Sequence, residues 1–223
     1  MRFPPLSDRI HRTVLAIPLG ATEQHGPHLP LDTDTTIAAE LCRRLATRRP
    51  DIVVAPPIPY GASGEHASFP GTLSIGHRAL ELLLLELVRS ADAFAGVVLV
   101  NGHGGNLATL HTIEKTLTAE GRRPLIWSPT GYSTDSHAGH IETSVMLAID
   151  SDSVAMESAQ PGDTRPLAEI MPILRQYGVA AVSANGVLGD PTTADHTAGH
   201  ELLARWTEAL VDSVADRIPL FLE

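Results

Sequence analysis

The sequence predicts an α/β fold built on a mainly parallel sheet, and three observations lead to this prediction. Short apolar runs rich in β-branched residues predict buried strands, and the clearest is the unbroken GVVLV of Gly96–Val100. Such a run is followed by a loop rich in Gly or Pro, and that loop by apolar residues at helical spacing. This strand–loop–helix order recurs three times along the chain, as parallel strands with helical connections require.

Three units of this kind are predicted. They pair Thr13–Leu19 with Thr35–Ala46, Gly96–Val100 with Leu107–Glu120, and Pro124–Trp127 with His140–Ile149. The predicted elements outside them are a surface lead-in (1–12), a strand (52–55), a Gly/Pro-rich loop (56–75), a leucine-rich helix (76–93), a helix broken by Pro172 (167–177), a loop suited to covering a pocket (184–194) and a closing helix (195–218).

Length and composition bound the class of protein. A chain of 223 residues is expected to form one domain, residues 1–223, whose core needs neither disulfides nor metal. Sixteen basic and twenty-six acidic residues give a net charge of −10, which disfavours nucleic acid or an anionic membrane as partner. Cys42 falls on an apolar helix face and is expected in the core. Without an apolar signal region or an 18-residue apolar window, a soluble cytoplasmic protein is expected.

The stretch after the first predicted strand carries the densest group of candidate ligands. In PLGATEQHGPHLPLDTDTT, Glu23, His25 and Asp34 lie in a Gly/Pro-broken loop at the expected carboxyl edge of the sheet. Carboxylate oxygens and imidazole nitrogens together suit zinc, manganese or ferrous iron. In the alternative interpretation, Asp34 or Thr35 caps the following helix and the histidines are solvated loop residues.

Two further strand-end loops carry similar residue types. His103 lies in the turn NGHGGN, where it is either a ligand or a residue tolerated in a tight turn, with Asn106 placed to cap the next helix. His137 precedes the predicted helix that bears Glu142 in its first turn, where the helix dipole also favours a carboxylate. The phosphate-binding spacings GxGxxG and GxxxxGK[ST] are absent.

Together, the three loops offer three carboxylates and three imidazoles, which is more than one metal ion needs. Two divalent ions about 3.5–4 Å apart, bridged by one carboxylate, would use five groups and leave one for proton transfer. Four more residues are candidates for orienting the ligands or touching substrate: Gln24, His28, Glu65 and His66. For Glu65 and His66 in the long loop, a plain surface position is the alternative.

These segments resemble a known family. GATEQHGPHLPLDTD, NGHGGN and HAGHIETS are similar to the signature stretches of the creatininase family, as are YGxxxEHxxFPGT (Tyr60–Thr72) and NGVLGDP (Asn185–Pro191). The resemblance implies a three-layer α/β/α fold, a homo-oligomer and a metal-dependent amidohydrolase with two divalent ions (Zn, Fe or Mn) per subunit. It also implies roles for six residues: Glu23, His25, Asp34, His103 and Glu142 as metal ligands, with Asp34 bridging, and His137 as general acid/base.

Within the family, length and motif wording most resemble the branch that acts in mycofactocin biosynthesis. That resemblance implies a peptidase whose substrate is a modified precursor peptide, cut before its crosslinked C-terminal Val-Tyr. Creatininase has a Glu where this chain has Gly105 and an aromatic residue where it has Gly104, which disfavours creatinine as substrate. Two alternatives stay open: hydrolysis of another small cyclic amide, and a non-enzymatic role with a structural metal, which the surplus of candidate ligands disfavours.

Overall fold

The computed structural model describes residues 10–131 and 135–221. Within these residues the strands are β1 (Val14–Leu19), β2 (Ile52–Val54), β3 (Gly96–Asn101) and β4 (Leu125–Trp127). The α-helices are α1 (Thr33–Arg48), α2 (Gly76–Ser90), α3 (Leu107–Ala119), α4 (His140–Asp150), α5 (Leu167–Tyr177) and α6 (His196–Phe221). Of the predicted lead-in, residues 1–9 lie outside the described chain, and Ile10–Arg12 form a 3-10 turn.

The strands form one parallel sheet in the order β2-β1-β3-β4. The register pairs Val14 with Gly96 at one end of β1 and Leu19 with Asn101 at the other. The carboxyl ends of β1 and β3 therefore lie side by side, and the loops that leave them begin at the same edge of the sheet. The parallel sheet predicted from the sequence is confirmed.

Helices cover both faces of this sheet because successive strand residues point to opposite sides. Val14 and Ala16 belong to the core shared with α1, α4 and α6, whereas Leu15 and Ile17 pack with α2 and α3. Each face of the sheet is therefore buried under its own helices, which confirms the three-layer arrangement. Cys42 lies in the first of these cores and is fully buried, as predicted.

The loop between β2 and α2 is better ordered than its composition predicts. Ile58 N–H donates to the Pro18 carbonyl and Leu73 N–H to the Thr22 carbonyl, so both ends are tied to the β1 segment. A 3-10 turn at Gly64–His66 lies between them. A small cluster of Ile170 from α5 with Val179, Leu188 and Phe69 packs near this loop. The predicted break at Pro172 is wrong, because α5 continues through that residue.

Two predicted helix caps are also wrong. Helix α1 begins at Thr33 after Asp32, and no side chain caps it, because Asp34 in its first turn faces two histidines instead. Asn106 directly precedes α3, but its side chain bonds to other loops and not to the helix end.

Helix α2 has one buried and one exposed apolar face. Leu80 and Leu84 are buried in the core, whereas Leu82, Leu83 and Leu87 are exposed. None of the helices in the described part of the chain combines the length and apolarity that a membrane span needs.

Candidate metal centre

The loops at the carboxyl edge of the sheet bring five predicted ligands together in the interior. Glu23 and His25 follow β1, and Asp34 lies in the first turn of α1. His103 follows β3, and Glu142 lies in the first turn of α4. All five side chains are buried, although the three carboxylates belong to residue types that are usually exposed or paired when inside a protein.

Glu23, Asp34 and His103 form the first half of the cluster. His103 Nδ1 lies 3.2 Å from Asp34 Oδ2, and His103 Nε2 lies 3.2 Å from Glu23 Oε2. One ligand atom from each residue falls within 4.8 Å of the others, a spacing that suits one metal ion.

His25, Asp34 and Glu142 form the second half. His25 Nε2 lies 3.0 Å from Asp34 Oδ1 and 3.9 Å from Glu142 Oε2. The other ring nitrogen, Nδ1, lies 3.1 Å from the Glu23 carbonyl, which can only accept, so Nδ1 carries a hydrogen. Once the proton on Nε2 is lost, the ring has the tautomer of a metal-binding imidazole. Asp34 faces one half of the cluster with each of its oxygens, which is the arrangement expected of a bridging carboxylate.

Several buried carboxylate oxygens in this cluster accept no hydrogen bond and are therefore free to bind a cation. Both carboxylate oxygens of Glu23 and Oδ2 of Asp34 are buried without a hydrogen-bond partner. A buried carboxylate oxygen that accepts no hydrogen bond is unfavourable unless a counter-charge lies close to it. Divalent ions would supply that counter-charge, and the oxygen and nitrogen donor set suits zinc, manganese or iron.

Without metal, the cluster holds protons in the place of cations. Burial raises the pKa of Glu23 to about 7 and that of Glu142 to about 7. Burial opposes the charged imidazoles, but the neighbouring carboxylates outweigh it and raise the pKa of His25 to about 10 and that of His103 to about 10. Burial also opposes ionisation of Asp34, but contact with both imidazoles lowers its pKa.

His137 lies at the edge of this cluster with a different hydrogen-bond pattern. Its Nε2 lies 2.8 Å from the main-chain carbonyl of Gln24, and its Nδ1 faces Glu23 Oε1 at 3.7 Å. Burial and the nearby His25 and His66 lower the pKa of His137 well below the ordinary value, so the ring is neutral. The next residue, Ala138, has a φ of 53° and donates its N–H to Glu142 Oε2 at 2.6 Å. Such a left-handed alanine is strained, and strain of this kind often marks functional sites.

The four residues predicted to support the ligands occupy different places. Gln24 and His66 are buried beside Glu23 and His137. Besides Glu23, Asp34 and His103, a second and a third group are compact enough for a metal ion: His25, His137 and Glu142, and Glu23, His66 and His137. Glu65 is partly exposed, with Oε1 3.8 Å from His103 Nε2. His28 is not in the cluster: its Nε2 lies 2.8 Å from Thr143 Oγ1, which ties the first loop to α4.

Two asparagines that hold the loops together were missed as site residues. Asn106 donates to the Gly20 carbonyl and to Asn101 Oδ1, and it accepts from Ala62 N–H. Asn101 in turn donates to the carbonyl of His103. The motif NGHGGN contains both residues and was the available signal, but its asparagines were given no role beyond capping α3.

The fold and the cluster together define a class: an α/β protein whose parallel sheet presents, at its carboxyl edge, a buried cluster of histidines and carboxylates that could hold metal ions. The sequence model of the family Creatininase, described as creatinine amidohydrolase, matches residues 2–214. The chain therefore belongs to the creatininase family.

Relatives and solved structures agree with this assignment. Mycofactocin precursor peptide peptidase of Mycobacterium ulcerans (strain Agy99) is 51% identical over 215 residues, covering 92% of this chain and 86% of that protein. The protein of the same name from Mycolicibacterium smegmatis is 50% identical over 221 residues, covering 95% and 87%. Two solved structures, a creatininase with Mn and a creatininase variant of the Zn-Zn type, each have a TM-score of 0.77 and 26% identity, covering 93% of this chain and 92% of theirs.

Proposed function

We propose that this chain is a metal-dependent peptidase that acts on the mycofactocin precursor peptide and cuts it before a crosslinked C-terminal Val-Tyr. The proposal depends on the sequence identity of 51% and 50%, over 92% and 95% of this chain, to two proteins named mycofactocin precursor peptide peptidase. The buried histidine and carboxylate cluster supports it, because hydrolysis of an amide bond at neutral pH needs an activated water and a polarised carbonyl.

The residues divide into two metal sites that share one carboxylate. Glu23, Asp34 and His103 would hold one divalent ion. Asp34 and Glu142, whose oxygens lie 3.0 and 3.9 Å from His25 Nε2, would hold a second together with His25. Bound ions of this kind supply Lewis-acid activation of water and of the scissile carbonyl. Support for zinc or manganese comes from the creatininase variant of the Zn-Zn type and the creatininase with Mn, which share this fold.

His137 is the group proposed to move the proton. Its neutral ring leaves a lone pair on Nδ1, which faces the cluster and would take a proton from the attacking water. The protonated ring can then deliver that proton to the departing amine, which cannot leave as an anion.

The substrate is tested by mass spectrometry of the crosslinked and the unmodified precursor peptide after incubation with the protein. We expect release of a Val-Tyr fragment from the crosslinked peptide alone, abolished by chelator and restored by zinc or manganese. Failure of the fully metallated protein to cut either peptide would refute the proposal, and turnover of a small cyclic amide such as creatinine under the same conditions would identify the alternative.

The proposed roles of His137 and Asp34 predict different losses. His137→Asn should lower kcat about 10²- to 10⁴-fold, the usual contribution of a general acid/base, and keep its metal. Asp34→Ala should lose both activity and metal, because it removes an oxygen from each site. Elemental analysis of metal content, together with kcat of both variants, tests these roles. Equal loss of metal in the two variants would contradict them.

Self-association is also part of the proposal. Leu82, Leu83 and Leu87 form an exposed apolar strip on α2 that a second copy of the chain would bury. Sedimentation velocity of the wild type and of Leu82→Glu measures this: we expect an oligomer that the variant weakens, and a monomeric wild type refutes it.

A further inference from the structure

The side chain of Gln24 lies between two histidines at the inner end of the cluster. Its Nε2 is 2.8 Å from His66 Nδ1, 3.1 Å from His137 Nε2 and 3.1 Å from the Gly186 carbonyl. Its Oε1 accepts the N–H of Gly26 at 2.9 Å, which fixes which end of the amide is oxygen. The amide therefore has two hydrogens to place among three neighbours.

The acceptors decide where those two hydrogens go. The Gly186 carbonyl can only accept, so it takes one of them. His137 Nε2 lies 2.8 Å from the main-chain carbonyl of Gln24, which also can only accept, so this ring nitrogen already carries its own hydrogen. The second amide hydrogen is left for His66 Nδ1, the closest of the three neighbours.

This assignment fixes the state of His66. An imidazole whose Nδ1 accepts a hydrogen bond is neutral and must carry its hydrogen on Nε2. Nε2 faces Glu23 Oε1 at 3.3 Å. His66 thus presents an N–H dipole, and not a lone pair, to the metal cluster.

We propose that Gln24 holds His66 in the Nε2–H tautomer, and that His66 is a positioning residue for the Glu23 carboxylate and not a metal ligand. The third compact group, Glu23, His66 and His137, is then not a metal site in spite of its spacing. The proposal rests on the metal-binding part of the proposed function and is independent of which peptide is cut.

The tautomer can be read directly by nuclear magnetic resonance of protein labelled with ¹⁵N in its histidine rings. His66 is assigned by its loss in His66→Gln. We expect its Nε2 to carry hydrogen and its Nδ1 to accept, both without metal and with zinc, while the ring signals of His25 and His103 move on zinc addition. In Gln24→Glu, the new carboxylate accepts from Nδ1–H, so the tautomer should reverse. An unprotonated His66 Nε2 that moves with zinc overturns the proposal.

Two matched substitutions test the effect on the metal. The side-chain amide of Gln can place an N–H donor near the position of Nε2, whereas that of the shorter Asn lies near Nδ1. Zinc competition with a chromophoric chelator should show His66→Asn binding zinc about 10-fold more weakly and His66→Gln close to wild type, since partners of metal ligands typically contribute 10- to 100-fold. Equal affinities in the two variants, or loss of a whole zinc equivalent in His66→Gln, refute the assignment. If the wild type binds no zinc, the metal centre of the proposed function is refuted. The spectrum of the metal-free protein still tests the tautomer of His66 in that case.

Discussion

At the scale of single residues, two neighbouring glycines in the turn after β3 have opposite surroundings. A Cβ at Gly105 would lie 2.4 Å from the Ala62 carbonyl oxygen, from Glu65 Oε1 and from His103 Nε2. A Cβ at Gly104 would meet nothing within 4 Å. Gly105 therefore allows the loop that carries Glu65 to lie against His103, with the Glu65 carboxylate 3.8 Å from His103 Nε2.

This contrast predicts that substitution by alanine has different effects at Gly104 and at Gly105. Gly105→Ala should weaken zinc binding at least about 10-fold, because the new methyl group displaces the surroundings of His103. Gly104→Ala should leave zinc affinity unchanged and stability within about 0.5 kcal/mol. Chelator competition and thermal unfolding of both variants measure this, and a normal zinc affinity in Gly105→Ala would contradict it.

The sequence predicted which residues meet but not how they are bonded. Glu23, His25, Asp34, His103 and Glu142 could be found because each lies just after a strand or in the first turn of the next helix, and parallel strands bring such positions to one edge. The partner of Gln24 could not be found, because His66 lies 42 positions away in a loop without periodicity. Hydrogen-bond partners of that kind depend on the folded path of the loop.

At the scale of elements, the side chain of Asn106 links three segments at the carboxyl edge of the sheet. Its side chain bonds to Gly20 after β1, to Ala62 in the long loop and to Asn101 at the end of β3. All of these bonds are buried, so they hold the cluster-bearing loops at a fixed separation.

Removal of that side chain should be costly. Asn106→Ala leaves a buried N–H and a buried carbonyl unsatisfied, and each such group costs about 1–3 kcal/mol. We expect the variant to lose at least about 2 kcal/mol of unfolding free energy and to bind zinc more weakly. Urea denaturation measures the loss, with the exposed Thr112→Ala on α3 as the control expected within about 0.5 kcal/mol. A stability equal to wild type would show that the loops hold their positions without Asn106.

Element positions were predicted well where periodicity is strong, and their ends less well. The strand Gly96–Val100 and the helix from Leu107 match β3 and α3 to within one residue at either end. The predicted cap of α1 was wrong because the sequence alone does not distinguish a carboxylate that caps a helix from one that faces a buried histidine. The prediction of a helix break at Pro172 was also wrong. Helix α5 continues through this residue because the tertiary packing of Ile170 outweighs the free energy that a proline costs inside a helix.

At the scale of the whole molecule, protons and metal compete for one buried cluster. In the metal-free protein the pKa values of His25 and His103 are raised to about 10 and those of Glu23 and Glu142 to about 7. The folded state therefore holds these protons more tightly than the unfolded state. That stabilisation is complete below the ordinary pKa values and is lost as pH rises through about 7 and then about 10.

Metal binding has the opposite dependence on pH, because fewer protons then compete for the same nitrogen and oxygen atoms. We predict that the rise in Tm on adding zinc grows from about pH 6 to about pH 9, by about 2–4 °C for each additional kcal/mol of binding. Scanning calorimetry with and without zinc across this range tests it, with Asp34→Ala as a control in which the growth is absent. A zinc effect that is constant or shrinks with pH would exclude proton competition at the cluster.

The strand order also has a consequence for how the protein is made. Strand β1 leaves the ribosome first, yet its partner β3 follows about 80 residues later, a delay of about 4–16 s at ordinary rates of synthesis. Until then the growing chain can pair β1 only with β2, and the edge that will accept β3 has no partner. Glu142 emerges later still, so a nascent chain acquires the complete cluster of histidines and carboxylates only after more than half of the polypeptide has been synthesised.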